Sequence, residues 1–300
     1  MADRSTHYGV VVGVDGSPSS QVALRWAARE ATMRNGPLTL VHVAAASAVG
    51  SVPVAWPAAP IPEEVLQRRD EDARNIIADA MKVVEDSAEG GDRPVINSEL
   101  LYGGPVPTLV HLSNDAQLVV VGCRGRSALR RGLLGSVSTG LIHHAHCPVA
   151  VVHDEVASSL QSAHLPVLVG IDGSRASELA TAIAFDEASW RGVDLVVLHV
   201  CTDADMSSLF RMEWSAVQSA ADKKIAESLA DWQERYPEVT VQLLVELDQP
   251  ARHLIEQSER AQLVVVGSHG RGGFAGMLLG SVSTAVAQAA RVPVIVARQY

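Results

Sequence analysis

The segment LVVVGCRGRSALRRGLLGSVST, residues 118–139, joins an apolar run to a glycine-spaced stretch rich in arginine. Nearly the same segment, LVVVGSHGRGGFAGMLLGSVST, occupies residues 263–284, so the spacing Gly-x-x-Gly, nine residues, Gly-Ser occurs twice. Apolar β-branched runs of this length are typical of strands that are buried on both faces of a parallel sheet. The repetition therefore predicts two copies of one unit, each with a glycine-rich loop directly after a buried strand.

The repeat extends through most of the chain. The run GVVVGVDGS at 9–17 parallels PVLVGIDGS at 166–174, and CPVAVVH at 147–153 parallels VPVIVAR at 292–298. Between such runs lie segments with helical spacing, and one of them carries a single apolar stripe made of Val65, Ile76, Ile77, Met81 and Val84. This alternation predicts an α/β protein of two tandem doubly wound parallel-sheet domains, Rossmann-like and with about five strands each.

The offsets between the repeats indicate the domain boundaries. Asp15 and Asp172 are 157 positions apart, whereas Gly122 and Gly267 are 145 apart, so the first half carries twelve extra residues. We place them in the Ala- and Pro-rich segment 44–64 and interpret it as a loop insertion. The predicted domains are then 1–153 and 166–300, with 154–165 as the linker.

Composition limits the classes of partner. Of the 300 residues, 47% are hydrophobic and 19% are charged, which is typical of a globular protein. The net charge of −10 and the 4% of aromatic residues argue against nucleic-acid binding, and an anionic ligand would need local donors. There is no apolar stretch of membrane-spanning length, and the three cysteines are not clustered. We therefore expect a cytoplasmic protein without a membrane partner.

The glycine-rich segment combines two structures that favour phosphate. Gly122 and Gly125 allow the backbone to approach a ligand closely, and successive amides in such a turn form an anion-binding concavity. Gly135 and Ser136 open an apolar helical run whose N-terminal N–H groups and dipole also favour an anion. Of the arginines between the two glycine pairs, Arg126 matches Arg271 of the second half and is a candidate phosphate clamp.

Asp15 and Asp172 emerge at the same sheet edge as the glycine-rich loops. A carboxylate would repel phosphate, so its useful place is beside a ribose, where it accepts hydrogen bonds from the hydroxyls. The alternative is that these aspartates only cap the helix that follows. The backbone of Val43 and Val200, at the end of the next strand, is placed to contact an adenine edge. The chain has neither a GxxxxGK[ST] loop nor a GxGxxG dinucleotide motif after its first strand.

The spacing from each aspartate to Gly-x-x-Gly and then Gly-Ser resembles the ATP-binding pattern of the universal stress protein family, over nearly the whole chain. The chain looks most similar to the tandem, ATP-binding members of mycobacteria and other actinobacteria. In the first half the resemblance implies contacts to ATP, with Mg²⁺ as an optional companion, from Gly13, Asp15, Val43, Gly122, Arg124, Gly125, Arg126, Gly135, Ser136, Val137 and Ser138. In the second half it implies contacts from Gly170, Asp172, Val200, Gly267, Gly270, Arg271, Gly273, Gly280, Ser281, Val282 and Ser283.

The resemblance also implies an assembly and a role. The last strand of each half would pair with its counterpart, which makes an internal pseudo-dimer, and we expect a homodimer of such chains. The implied role is regulatory, in stress, dormancy or growth control, through protein partners that the sequence does not identify. The alternatives are a slow ATP hydrolase or adenylyl-transfer enzyme that uses the same pocket, and a scaffold whose pockets bind nothing.

The cluster HHAHC, residues 143–147, is the one stretch with metal-like composition. Its counterparts in the second half are not histidines, and adjacent histidines on a helix point in different directions. We therefore predict no metal site and no catalytic residue. Cys123 lies inside the glycine-rich loop and is a candidate redox-sensitive thiol only if its pKa is lowered.

Overall fold

The computed structural model describes residues 7–44, 63–87, 93–125, 133–154, 162–201, 214–271 and 279–298. Most of the predicted insertion, residues 45–62, lies outside the described residues, as do residues 155–161 of the predicted linker. The strands are β1 (Gly9–Gly13), β2 (Leu38–Ala44), β3 (Ile96–Tyr102), β4 (Ala116–Gly122), β5 (Val149–Val152), β6 (Val167–Ile171), β7 (Leu195–Cys201), β8 (Val241–Leu247), β9 (Leu263–Gly267) and β10 (Val294–Ala297). The helices are α1 (Pro18–Met33), α2 (Glu63–Ser87), α3 (Pro105–Leu112), α4 (Ser136–His144), α5 (Arg175–Arg191), α6 (Trp214–Arg235), α7 (Pro250–Ser258) and α8 (Ser281–Ala289).

The strands form one ten-stranded sheet in the order β3-β2-β1-β4-β5-β10-β9-β6-β7-β8. Within each half all neighbouring strands run parallel. The halves meet where β5 and β10 pair antiparallel, with Ala150 opposite Ile295. The predicted pair of doubly wound parallel-sheet domains and their internal pseudo-dimer are confirmed. The expected homodimer of two chains stays a prediction.

Helices cover both faces of the sheet, as the apolar strands require. Along β1 the side chains alternate, so that Val10 and Val12 face the layer of α1 and α2, while Val11 faces the layer of α3 and α4. The first layer continues into the second half, where the fully buried Phe185 of α5 belongs to the same core as Leu24 of α1. Among the described residues, no helix combines the length and apolar character needed to cross a membrane.

The apolar stripe predicted on α2 is buried except at its start. Ile76 and Val84 lie in the core, whereas Val65 is 40% exposed. The reason is length: the 25 residues of α2 span about 38 Å, but the seven-residue strands beneath it span only about 23 Å. The first turns of α2 therefore extend beyond the part of the sheet that α2 covers.

A buried cluster of four charged side chains joins α1 to α5 across the two halves. Arg34 pairs with Glu30 on its own helix and with Glu187 on the other, and Arg191 pairs with the same two carboxylates. The arrangement follows the repeat, since residues 30 and 34 correspond to 187 and 191. Burial, followed by the negative charge of Glu187, raises the pKa of Glu30 to about 7.

Candidate functional site

The first candidate site lies where the strand order of the sheet reverses. β1 has β2 on one side and β4 on the other, so the chain leaves β1 and β4 in opposite directions and an opening forms at their carboxyl ends. A cavity of about 590 Å³ lies at this opening, between the turn after β1 and the loop after β4. Its volume is within the range of small-molecule sites.

The cavity brings together ten of the residues that the sequence predicts for the first half. They are Gly13, Asp15, Val43, Gly122, Arg124, Gly125, Gly135, Ser136, Val137 and Ser138. Arg126 lies outside the described residues. His42, which precedes Val43 and is expected to be a packed or pocket-lining histidine, also lines the cavity. The lining residues that were not predicted include Val41, Pro105, Leu109, Leu133 and Leu134. Val41 belongs to the same strand as Val43 and could have been inferred from it, but Pro105 and Leu109 come from α3, which no motif marks.

One end of the cavity is apolar. Val41, Val43 and Val121 line it from the strands, and Leu109 lines it from α3. Gly13 keeps this end open, because a Cβ on it would lie 3.3 Å from Leu109 Cδ1 and 3.3 Å from Val121 Cγ1. A flat, mostly apolar group such as a nucleobase suits these walls.

Asp15 stands between the apolar end and the glycine-rich loop. Its Oδ1 accepts a 2.9 Å hydrogen bond from the N–H of Ser17, and the Ser17 side chain, not Asp15, caps α1 by accepting from the N–H of Ser20. A Cβ on Gly125 would lie only 2.8 Å from Asp15 Oδ2, so the loop after β4 passes directly over the carboxylate. The predicted alternative, in which Asp15 is merely the helix cap, is therefore wrong, because Ser17 fills that role.

The N-terminus of α4 forms the opposite end. Gly135 is the N-cap residue and, having no side chain, makes no side-chain cap hydrogen bond to the first-turn N–H groups. The N–H of Gly135 donates to the Cys123 carbonyl at 2.8 Å, and the Ser138 hydroxyl lies 3.1 Å from that same oxygen. These bonds hold the helix start against the loop after β4. The first-turn N–H groups, which have no partner within a helix, thus remain at the cavity wall formed by Ser136 and Val137.

Ser138 itself is placed for structure more than for ligand contact. It is 1% exposed, and its hydroxyl is within 3.1 Å of both the Cys123 and Gly135 carbonyl oxygens. Ser283 has a related role in the second half, where its hydroxyl donates to the Gly267 carbonyl at 2.5 Å and lies 3.4 Å from the carbonyl of Ser268, the counterpart of Cys123. Both serines therefore hold the loop and the helix together.

The need for glycine at position 122 has a different physical reason from the one predicted. A Cβ on it would lie 2.7 to 2.9 Å from the Cβ, carbonyl carbon and carbonyl oxygen of Ser19, in the first turn of α1. Gly267 meets Ala176 of α5 in the same way, with the nearest backbone atom at 2.9 Å. Gly122 lines the cavity, but helix–strand packing already requires that neither glycine carries a side chain, a role that the sequence does not predict.

Arg124 is engaged by Asp154, the last described residue before residues 155–161. Its guanidinium forms an ion pair with that carboxylate, which also accepts from the hydroxyl of Ser19. The thiol of Cys123 lies nearby, at 3.8 Å from Asp154 Oδ1. Burial, together with the charge of Asp154, raises the pKa of the Cys123 thiol, so the condition for a redox-sensitive thiol is not met.

The second half repeats the geometry of the first. Asp172 accepts from the N–H of Ser174 at 2.9 Å and from the N–H of Arg271 at 2.8 Å. The N–H of Gly280, the N-cap of α8, donates to the Ser268 carbonyl at 2.7 Å. The remaining predicted residues are distributed over the equivalent elements: Gly170 in β6, Val200 in β7, Gly270 after β9, and Ser281 and Val282 in α8. Gly273 lies outside the described residues.

Two side chains of the second half, Asp172 and His269, determine its local electrostatics. Burial raises the pKa of the Asp172 carboxyl, but hydrogen bonds from Ser174 and from the backbone of Arg271 outweigh burial, and the net pKa lies below its ordinary value. His269 occupies the position of Arg124, and its Nδ1 lies 3.0 Å from the hydroxyl of Ser268. The second loop therefore presents an imidazole where the first presents a guanidinium.

The histidines have structural partners. His42 and His199 hold matching strand ends, with Nδ1 at 2.7 Å from the Val14 carbonyl and 2.9 Å from the Ile171 carbonyl, respectively. In the HHAHC cluster, His143 Nδ1 lies 2.7 Å from the Thr139 carbonyl of its own helix. Within the described part of the chain, no group of three or more His, Cys, Asp or Glu side chains is arranged to hold a metal ion.

Known proteins share this architecture and this sequence. The model of the universal stress protein family matches residues 9–153 and 165–298. Universal stress protein Rv2623 of Mycobacterium tuberculosis is 53% identical over 299 residues, which is 100% of this chain and 99% of that protein. Universal stress protein Rv2005c of the same organism is 54% identical over the full length of both.

Among solved structures, a universal stress protein from Archaeoglobus fulgidus has a TM-score of 0.70 and covers 99% of both chains, at 22% identity. That likeness concerns the fold, whereas the family model and the mycobacterial relatives extend over the sequence of both halves. The chain belongs to the universal stress protein family.

Proposed function

We propose that this protein binds ATP in the cavity between β1 and β4, binds a second ATP at the equivalent place between β6 and β9, and acts as a regulatory protein rather than an enzyme. One observation carries the proposal: three chemically different walls meet in one cavity. They are an apolar end, an oriented carboxylate and the uncapped start of α4. A nucleotide has a matching sequence of groups in a base, a ribose and a phosphate chain.

Each wall of the cavity has a role in this arrangement. Val41 and Leu109 enclose the base, and the backbone of Val43 contacts its edge. Asp15, oriented by the N–H of Ser17, accepts hydrogen bonds from the ribose hydroxyls. The amides of the loop after β4 and of the first turn of α4 donate to the phosphates, aided by the helix dipole.

Neutral amides suit a protein with this charge. With a net charge of −10, the long-range field does not attract a nucleotide, so the binding energy has to come from local donors. Arg124 lines the cavity and is the described cation nearest to the proposed phosphate end in the first half. Because Asp154 already engages it, phosphates have to compete for this guanidinium.

Mg²⁺ would enter the site with the phosphates. Of the described residues that line the cavity, Asp15 alone carries a carboxylate, and one of its oxygens accepts from Ser17. One such oxygen does not build a metal cage, and Mg²⁺ typically keeps several waters and binds through nucleotide phosphates.

The arrangement favours binding over catalysis. Phosphoryl transfer requires a group that orients or deprotonates the attacking nucleophile, in addition to charge neutralisation. Of the described lining residues, Asp15 and His42 are the groups that could act as a base, but Asp15 is assigned to the ribose and His42 Nδ1 lies 2.7 Å from the Val14 carbonyl. We therefore propose that ATP occupancy changes the surface around the loop after β4 and that protein partners read this change in a stress-related role.

An equilibrium titration tests the proposal. Purified protein, stripped of nucleotide by unfolding and refolding, is titrated with ATP in a calorimeter, beside the single variants Asp15→Ala and Asp172→Ala. We expect up to two ATP per chain and the loss of one site in each variant. Gly36→Ala is the control, because its Cβ would lie 3.6 Å from Gln117 Oε1, an ordinary contact away from the cavity. Equal binding by all four proteins, or no binding at millimolar ATP, contradicts the proposal.

A further inference from the structure

The residues that follow β5 and β10 cross between the halves of the protein. Arg298, directly after β10, donates from Nε to the Ala145 carbonyl at 3.0 Å and from Nη1 to the Ile142 carbonyl at 2.7 Å. His153, directly after β5, places Nε2 at 3.0 Å from the Ala287 carbonyl. Each half thus supplies a side chain to the C-terminal end of the other half's phosphate-facing helix, α4 or α8.

The end of α4 depends on the contact with Arg298. Ile142 lies in the last turn of α4, where carbonyls have no donor within the helix. The N–H four residues further on, that of His146, donates instead to the hydroxyl of Ser113 at 2.8 Å. The guanidinium of Arg298, which is 6% exposed, therefore completes the hydrogen bonding of this carbonyl and places a cation at the negative end of the helix dipole.

The contact at the C-terminus of α4 matters for its N-terminus because the helix is short. α4 has nine residues, about 14 Å, and a helix of that length is marginal without outside contacts. Gly135 and Ser136, at its start, line the candidate nucleotide cavity. The start of α4 is held at one point, the Cys123 carbonyl, which accepts from the Gly135 N–H and the Ser138 hydroxyl. A shift at Ile142 therefore tilts this short helix about that point and redirects its first-turn N–H groups.

We propose that Arg298 is a positioning residue for the nucleotide site of the opposite half, and that His153 has the same role for the second site. The affinity of each site then depends on a side chain that the other half contributes. The inference rests on the proposed ATP sites, and it adds to them a specific physical link between the halves. Among the described contacts to these helix ends, Arg298 donates to two carbonyls and His153 lies within hydrogen-bond distance of one, so we expect the larger effect from Arg298.

The test uses full-length proteins with one site disabled. Gly270→Val disables the second site, because a Cβ there would lie 2.5 Å from Asp172 Oδ2, and Gly125→Val disables the first in the same way. Arg298→Gln is placed in both backgrounds and ATP affinity is measured by calorimetry. We expect roughly 5- to 10-fold weaker binding at the first site and less than about 2-fold change at the second, since the lost cation acts on α4 alone.

His153→Ala provides the matched reverse test. It should weaken the second site by roughly 3-fold and leave the first within about 2-fold, because it removes one contact from α8 and none from α4. General damage to the fold would lower both affinities together and would not produce this crossed pattern. Thermal unfolding of each variant confirms that the compared proteins are folded at the temperature of the titration.

The variant Arg298→Lys provides a second test that does not require Arg298→Gln to fold. Lysine keeps the charge but lacks the two-point fork, so we expect a loss of roughly 2- to 3-fold, again at the first site only. Equal effects on both sites, an effect on the site within the same half, or no effect in any variant overturns the inference. If neither single-site protein binds ATP before Arg298 is changed, the proposed function itself fails and the inference fails with it.

Discussion

The backbone N–H of Arg271 donates a 2.8 Å hydrogen bond to Oδ2 of Asp172, which ties the loop after β9 to the turn after β6. The other carboxylate oxygen accepts from Ser174, so both oxygens of Asp172 are oriented by backbone N–H groups. Asp15 and Gly125 show the same close approach in the first half. Asp172 therefore holds the two sides of the second candidate site together before any ligand is considered, and Asp15 lies at the equivalent place in the first.

Replacing the Asp172 carboxylate should lower the free energy of unfolding by an amount that depends on pH. The folded-state pKa of Asp172 lies below its ordinary value of 3.8, so its contribution is present above that pH and is lost as the pH falls through the folded-state pKa. Asp172→Asn should destabilise the protein at pH 7 by at most about 1 kcal/mol, because solvent screens a half-buried carboxylate. Urea denaturation at pH 7 and at pH 3 measures this, and an equal effect at both values would contradict it.

Gly122→Ala should affect the fold more than a surface glycine would. The new methyl group would lie within 2.9 Å of the α1 backbone at Ser19, and overpacking of this kind costs about 1 to 3 kcal/mol. We expect a clearly lower melting temperature than for the control Gly36→Ala, and Gly267→Ala should behave like Gly122→Ala. A Gly122→Ala protein as stable as the control would show that α1 can shift without penalty.

The buried charge cluster should make stability fall as the pH rises towards neutral. Burial raises the folded-state pKa of Glu30 from 4.5 to about 7, so between these values the folded protein binds a proton that the unfolded chain does not. Stability from this group is complete below pH 4.5 and declines above it, by up to about 1.4 kcal/mol per pH unit.

Glu30→Gln provides the measurement for that cluster. Glutamine has nearly the shape of protonated Glu30 and cannot titrate, so the variant should lose the decline between pH 4.5 and 7 while Arg34, Arg191 and Glu187 remain. Chemical denaturation across this pH range gives the two profiles. Parallel profiles for the variant and the wild type would show that Glu30 keeps its charge in the folded protein.

ATP turnover should be slow. Because Asp15 and His42, the described lining residues that could act as a base, are assigned to the ribose and to the Val14 carbonyl, we expect hydrolysis far below the usual enzymatic range of about 1 to 1000 per second. A time course of ADP release with Mg²⁺ measures the rate. Rapid multiple turnover that Asp15→Ala abolishes would favour the hydrolase alternative over a regulatory role.

The repeat carried most of the fold prediction. Two copies of LVVV followed by Gly-x-x-Gly, with a matching upstream aspartate, were enough to predict the tandem α/β units, and ten of the predicted residues line the first cavity. Such patterns do not predict which residues of different helices, strands and loops contact one another. The sequence around Gly122 does not show that a Cβ on this glycine would lie 2.7 Å from the Cβ of Ser19. It also does not show that Asp154 pairs with Arg124.

The contacts between the two halves could not be predicted from the sequence either. Arg298 and His153 are ordinary polar residues after apolar strands, and they acquire a role only when β5 and β10 pair antiparallel and bring each beside the other half's helix. The pairing of Glu30 with Arg191 likewise depends on how α1 and α5 pack across the halves. Sequence periodicity predicts which face of a helix is buried, but it does not say which charged side chains meet there.

The most direct measurement is an experimental structure of the protein with ATP. We expect Asp15 to lie within hydrogen-bond distance of the ribose hydroxyls. We expect the base against Val41 and Leu109, and the phosphates at the amides of Gly125 and Ser136. A structure in which the protein's own side chains fill this cavity at saturating ATP, or in which the nucleotide binds elsewhere, would contradict it.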